Sequence, residues 1–167
     1  MAAQKFLQNV SGKIKEVIAA VTSTANAIVA MDSTGRIDVS VLPVGVGAEV
    51  LTMVTSENLT AGDLVNIYSN AGVLTARKAD ATTNAKPAHG FVLASVTSPA
   101  NATVYSPSQT NTAVTALTIG SEYFLSTTPG AVTTTPPNAA GNIVQRVGVA
   151  DKTTEFVFVP YTTIEVA

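Results

Sequence analysis

Apolar residues in this chain come in short, β-branched runs, cut at close intervals by Gly, Pro, Asn, Ser and Thr. From residue 47 onward the rhythm is steady. Glu49–Thr55 stands alone. Leu64–Tyr68 leads through Ser69-Asn-Ala-Gly72 to Val73–Ala79, and Phe91–Thr97 leads through Ser98-Pro-Ala-Asn101 to Ala102–Ser106. Glu122–Ser126 leads through Thr127-Thr-Pro-Gly130 to Ala131–Thr135, and Ile143–Ala150 leads through Asp151-Lys-Thr-Thr154 to Glu155–Val159. Runs of this length with such punctuation predict strands, and strands at this spacing predict an all-β sandwich or barrel of short antiparallel strands.

Residues 1–46 follow a different pattern. Ile14, Val17, Ile18 and Val21 match a helical repeat, whereas the β-branched content and Ser11-Gly12 favour a strand over residues 12–21; the balance tips toward extended chain. Ala27–Asp32 and Arg36–Leu42, separated by Ser33-Thr-Gly35, predict a hairpin or bent arm. Pro43, Gly45 and Gly47 mark a boundary. The expected organisation is an N-terminal extended arm, 1–46, and a β-domain, 47–167.

An internal echo runs through that domain. Leu59-Thr-Ala-Gly62 returns as Leu117-Thr-Ile-Gly120, and three glycines recur 58 residues on: 62 and 120, 72 and 130, 90 and 148. Glycine suits tight turns and places where backbones approach closely. The echo predicts two copies of one β-motif closing into one domain; chance coincidence of Gly-rich turns is the competing account.

Composition narrows the function classes. Charged residues are 12% of the chain, half the ~25% typical of globular proteins. That disfavours coiled coils and charged helical bundles, while a mean hydropathy of +0.33 and a net charge of −2 disfavour disorder. With nine Lys plus Arg against eleven Asp plus Glu there is no basic stripe for nucleic acid. No run approaches a membrane span, and Val17–Val21, with Glu16 at its edge, is short for a secretory signal. The absence of cysteine excludes disulfides and thiolate metal sites.

Candidate chemistry is thin. His89 is the one histidine, without a Gly-x-Ser-x-Gly elbow or a second imidazole, and reads as a strand-start residue bonded to backbone. Asp32 with Asp38, and Glu57 with Asp63, flank turns, where local bonds to amides account for them. Gly45-Val-Gly47 lacks the third glycine of a dinucleotide fingerprint. Arg77-Lys78 reads as a solvated strand end, and Tyr105, Tyr123, Phe124, Phe156 and Phe158 as mostly core. The expectation is no enzyme, no cofactor and no metal.

Several stretches in order carry a resemblance. They are Lys5-Phe-Leu-Gln8, Ala27-Ile-Val-Ala-Met-Asp-Ser-Thr-Gly-Arg-Ile-Asp38, Val41-Leu-Pro-Val-Gly-Val-Gly47 and Leu59-Thr-Ala-Gly-Asp-Leu-Val-Asn-Ile-Tyr68. Arg77-Lys-Ala-Asp80, His89-Gly-Phe-Val-Leu-Ala94, Gly120-Ser-Glu-Tyr-Phe-Leu-Ser126 and Gln145-Arg-Val-Gly-Val-Ala150 follow. Together they resemble the capsid cement, or head decoration, proteins of tailed bacteriophages. The resemblance implies a homotrimeric structural protein on the outside of the virion capsid, bound to the major capsid protein. Manufacture in the host cytoplasm suits a cysteine-free chain. Similar segments occur in phage fibre proteins, so a head or tail fibre module binding a host receptor is the alternative. The exposed-looking apolar residues of the arm, Phe6, Leu7, Val41 and Leu42, with Pro43, are the expected capsid or subunit contacts.

Overall fold

The computed structural model describes residues 5–10, 13–20, 28–29, 31, 35, 37 and 49–167. Every regular element among them is a β-strand. The chain divides into two units, Met1–Gly47 and Ala48–Ala167.

In the first unit, β1 (Lys5–Val10) and β2 (Lys13–Ala20) form an antiparallel pair running from Lys5↔Ile18 to Val10↔Lys13. The ambiguous stretch is thus a strand, as its content of β-branched residues, which lose rotamer freedom in helices, favours. β3 (Ile28–Val29) lies parallel to β2, with Ala19↔Ile28 and Ala20↔Val29. The run expected to pair with Arg36–Leu42 therefore has β2 as its described partner, and nearly all of 36–42 lies outside the described residues.

The second unit opens with five strands: β4 (Val50–Thr55), β5 (Leu64–Asn70), β6 (Val73–Lys78), β7 (Gly90–Val92) and β8 (Asn101–Tyr105). They close into a barrel of order β4-β6-β5-β7-β8. All pairings are antiparallel except β4 with β6, which closes the ring through Val54↔Thr75 and Thr55↔Ala76. Period-two alternation sends Met53, Val65, Ala76, Val92, Ala102 and Val104 inward, and Leu59, bridged to Val96, joins them.

The remaining strands are β9 (Thr110–Asn111), β10 (Glu122–Leu125), β11 (Val132–Thr133), β12 (Ile143–Val144), β13 (Arg146–Lys152), β14 (Glu155–Phe158) and β15 (Ile164–Glu165). Five form a sheet of order β11-β10-β13-β14-β9, and β12 pairs with β15. Read from β6 round the barrel, the first ring runs β6-β5-β7-β8-β4. The second sheet repeats that order strand for strand, but stays open between β9 and β11.

Backbone bonds match as well. Gly62 N–H donates to Val92 O (2.8 Å), Val92 N–H to Asp63 O (3.1 Å) and Asp63 N–H to Thr60 O (3.0 Å). Each recurs 58 residues on: Gly120 to Ala150 (2.8 Å), Ala150 to Ser121 (3.1 Å) and Ser121 to Thr118 (3.1 Å). The two copies share one fold motif.

The larger core lies where the barrel's outer face meets the second sheet. Leu64 and Phe91 pack there with Tyr123, Leu125, Ile143, Val147, Phe156 and Phe158. Phe91 stacks on Tyr105 at 5.3 Å and meets Phe158 edge-on at 5.7 Å, the two geometries aromatic quadrupoles favour.

Candidate functional site

One polar cluster and one groove share the Pro87–His89 segment. Asn66 on β5 is buried; its Oδ1 accepts from Arg77 Nε (2.9 Å) and its Nδ2 donates to Pro87 O (2.9 Å). Arg77 Nη2 donates to Ala85 O (2.8 Å), and the guanidinium carbon lies 4.1 Å over the Tyr68 ring. Arg77-Lys78 is thus not a solvated strand end. Both residues are half-buried, because β6 turns them toward acceptors on β5 and its loops.

His89 stands just before β7. Its amide donates to Val65 O (2.8 Å), and its Nδ1 accepts the Ile67 amide (3.0 Å). A nitrogen that accepts carries no proton, so the neutral ring holds its hydrogen on Nε2. Burial pushes the His89 pKa below its ordinary value. The backbone-bonded strand-start histidine expected from sequence is what the chain forms.

Gln145, buried between β12 and β13, ties this segment to the second sheet. Its Oε1 accepts from Ala88 N–H (2.7 Å); its Nε2 donates to Ala88 O (3.0 Å) and to Tyr161 O (3.3 Å). A side-chain amide here does the work of a strand partner.

Outside this cluster lies a groove of about 410 Å³, walled by Pro87, Pro107 and Pro160 and lined by Ala88, His89, Gln145, Tyr161, Thr162 and Thr163. Tyr161 is 56% exposed. Arg146 sits 4.6 Å over its ring, and Arg146 Nε is itself bonded to Glu122 at 2.8 Å. Sequence reasoning missed Gln145 and Tyr161; the uncharged Pro160-Tyr-Thr-Thr163 run was the available signal.

The carboxylates Glu57 and Asp63 serve local structure. Glu57 Oε1 accepts the Lys78 amide (2.8 Å), while Asp63 Oδ2 accepts the Thr60 amide (2.7 Å) and pairs with Lys78 Nζ (3.0 Å). Asp32 and Asp38 lie outside the described residues. Among the described residues no group of three or more His, Asp or Glu is placed to hold a metal ion.

The expected contact residues are only partly placed. Phe6 and Leu7 fall in β1, paired with Val17 and Glu16, whereas Val41, Leu42 and Pro43 lie outside the described residues. The structure adds a surface that sequence did not single out. Leu51 shares the strand face of the inward Met53, and Leu74 that of the inward Ala76, yet they are 45% and 53% exposed. Because β4 and β6 run parallel, both leucines stand at one mouth of the barrel, with exposed Val50 and Val73 beside them.

Against this geometry, no family model matches the chain, and no curated protein matches it.

Proposed function

We propose that this chain is a non-catalytic structural protein of a tailed-bacteriophage virion, a cement or decoration protein that binds the outside of the capsid as a homotrimer and stabilises it. The observation that carries the reading is the barrel mouth: Leu51 and Leu74 on the inward-facing side, and Val50 and Val73 on the outer face, are large apolar side chains left exposed where β4 and β6 begin, in a domain that has two apolar cores elsewhere. Apolar groups left together in water gain about 25 cal/mol for each Å² covered, so such a rim favours a protein partner. Two further points support the reading. The ordered motifs resemble cement proteins, and the polar side chains that could do chemistry, Asn66, Arg77, Asp63 and Gln145, are engaged in holding the fold.

The test is re-attachment. Purified protein is added to capsids that lack it, and bound copies are located by cryo-electron microscopy. The intact chain is expected on the head exterior in threefold groups. The double variant Leu51→Asp/Leu74→Asp is expected to keep its circular dichroism spectrum and lose attachment. Density on the tail alone, or undiminished attachment of the variant, overturns the reading.

A further inference from the structure

The groove beside His89 has a use that capsid attachment does not require. Its lining contains no Asp, Glu, Lys or Arg. The nearest charge, Arg146 over the Tyr161 ring, is already paired with Glu122, so a neutral occupant leaves no charge unmatched. It is not purely apolar either, because His89, Thr162 and Thr163 offer hydrogen-bonding groups around one aromatic ring.

Two of these groups are fixed in advance. Tyr161 N–H donates to Arg146 O (2.9 Å), Tyr161 O accepts from Gln145 Nε2 (3.3 Å), and Arg146 lies over the ring. The ring therefore projects from an anchored backbone despite its exposure. His89 is oriented by the Ile67 amide, so its Nε2–H is a set donor, with no protein acceptor among the described residues. The proline walls lose little freedom on binding.

A flat apolar ring beside one fixed donor and rotatable hydroxyls, in a groove lined by no charged residue, matches the two-sided chemistry of a pyranose: a face of C–H groups to stack on an aromatic ring, and an edge of hydroxyls to bond. We propose that the groove of Pro87, His89, Pro107, Tyr161, Thr162 and Thr163 binds a neutral hexose. The Tyr161 face that Arg146 leaves open stacks under the sugar, and His89 Nε2–H and the Thr162 hydroxyl bond its rim, while Thr163, whose Oγ1 donates to Asn84 Oδ1 (3.5 Å), keeps a lone pair to accept. This stands apart from capsid attachment, since it concerns the purified protein in solution.

The test is a nuclear magnetic resonance titration of the full chain with the methyl glycosides of glucose, galactose and mannose. At least one is expected to shift Tyr161, Thr162, Thr163 and the His89 imidazole saturably, in the millimolar range of a single-sugar contact. Tyr161→Ala is expected to abolish those shifts and Tyr161→Phe to retain them. Mapping on the unmutated chain serves if Tyr161→Ala does not fold. Silence with all three glycosides overturns the proposal, as do shifts that persist in a folded Tyr161→Ala. Saturation of the same resonances by a proline-rich peptide, with the sugars silent, makes the groove a peptide site and overturns it too.

Discussion

Gly90 and Gly148 occupy the same place in two sheets. A Cβ on Gly90 would lie 2.6 Å from Val104 Cγ1 and 2.6 Å from Tyr105 O; a Cβ on Gly148 would lie 2.8 Å from Phe156 Cδ2 and would collide with Val157 O. In each case the obstacles are a side chain on the next strand and the carbonyl of the residue after it. β8 in the first copy and β14 in the second thus crowd their glycine in the same way. Backbone oxygen held in a ladder cannot move aside as a flexible side chain can. Gly90→Ala and Gly148→Ala are each expected to destabilise by about 1–3 kcal/mol, read from chemical denaturation. A silent substitution at either position contradicts the equivalence.

Much of this duplication was legible in the sequence, because its signal sits in residues with a backbone reason to be there. Gly62 and Gly120 each close a tight turn at positive φ, 93° and 77°, and the bonds around them coincide. What sequence could not give was the difference between the copies. In the first, β4 runs six residues and reaches β6; in the second, β9 runs two and the ring stays open. A groove of about 280 Å³ remains there, with Val114 and Thr115 on one side and Ala131 and Val132 on the other, over Gly62 and Asp63. Closure depends on a pairing between distant strands, and local propensity carries no information about it.

The candidate sites were less legible. Leu51 and Leu74 read as ordinary strand residues, since alternation gives the facing of a side chain but not whether the barrel continues past it. Gln145 is one amide in a chain rich in amides and hydroxyls. It matters because residue 88 lacks a strand partner for both of its backbone groups, which only the fold reveals.

That arrangement makes Gln145 a second test. Gln145→Leu keeps the bulk but leaves the amide and carbonyl of buried Ala88 without partners. An unpaired buried polar group costs about 1–3 kcal/mol, so the loss of folding stability is expected at or above the upper end of that range. The melting temperature reports it. A variant as stable as the parent would mean that water or a backbone shift satisfies Ala88.

His89 gives a third, in pH. The fold holds its pKa below the ordinary value of 6.5, so the unfolded chain binds the proton more readily. Stability is therefore full above the unfolded pKa, declines as pH falls below it, and levels off once pH is under the folded pKa. The decline is modest, since the imidazole is open to solvent on one side. Between about pH 7.5 and about pH 5.5, above most carboxylate titration, the melting temperature of the parent is expected to fall while that of His89→Gln stays level. A parent profile rising toward acid would reverse the sign and refute the assignment.

The division between Gly47 and Ala48 gives the last. Among the described residues, both apolar cores lie in the second unit, within 53–158. The described bonds of the Asn66, His89 and Gln145 cluster also begin and end within that unit. A chain starting at Ala48 therefore retains what stabilises the β-domain, and it is long enough to bury a core without disulfides. The truncate is expected to give a β-rich circular dichroism spectrum, to unfold cooperatively, and to keep the Gln145 and His89 effects described above. Its attachment to capsids then separates two contact surfaces. Attachment at parental strength places binding on the barrel mouth, where Leu51→Asp/Leu74→Asp abolishes it. Loss of attachment by a folded truncate assigns binding to residues 1–47, with Phe6 and Leu7 of β1 the first positions to substitute. A truncate that fails to fold shows that the first unit contributes stability the second cannot supply alone, and refutes the autonomy of the β-domain.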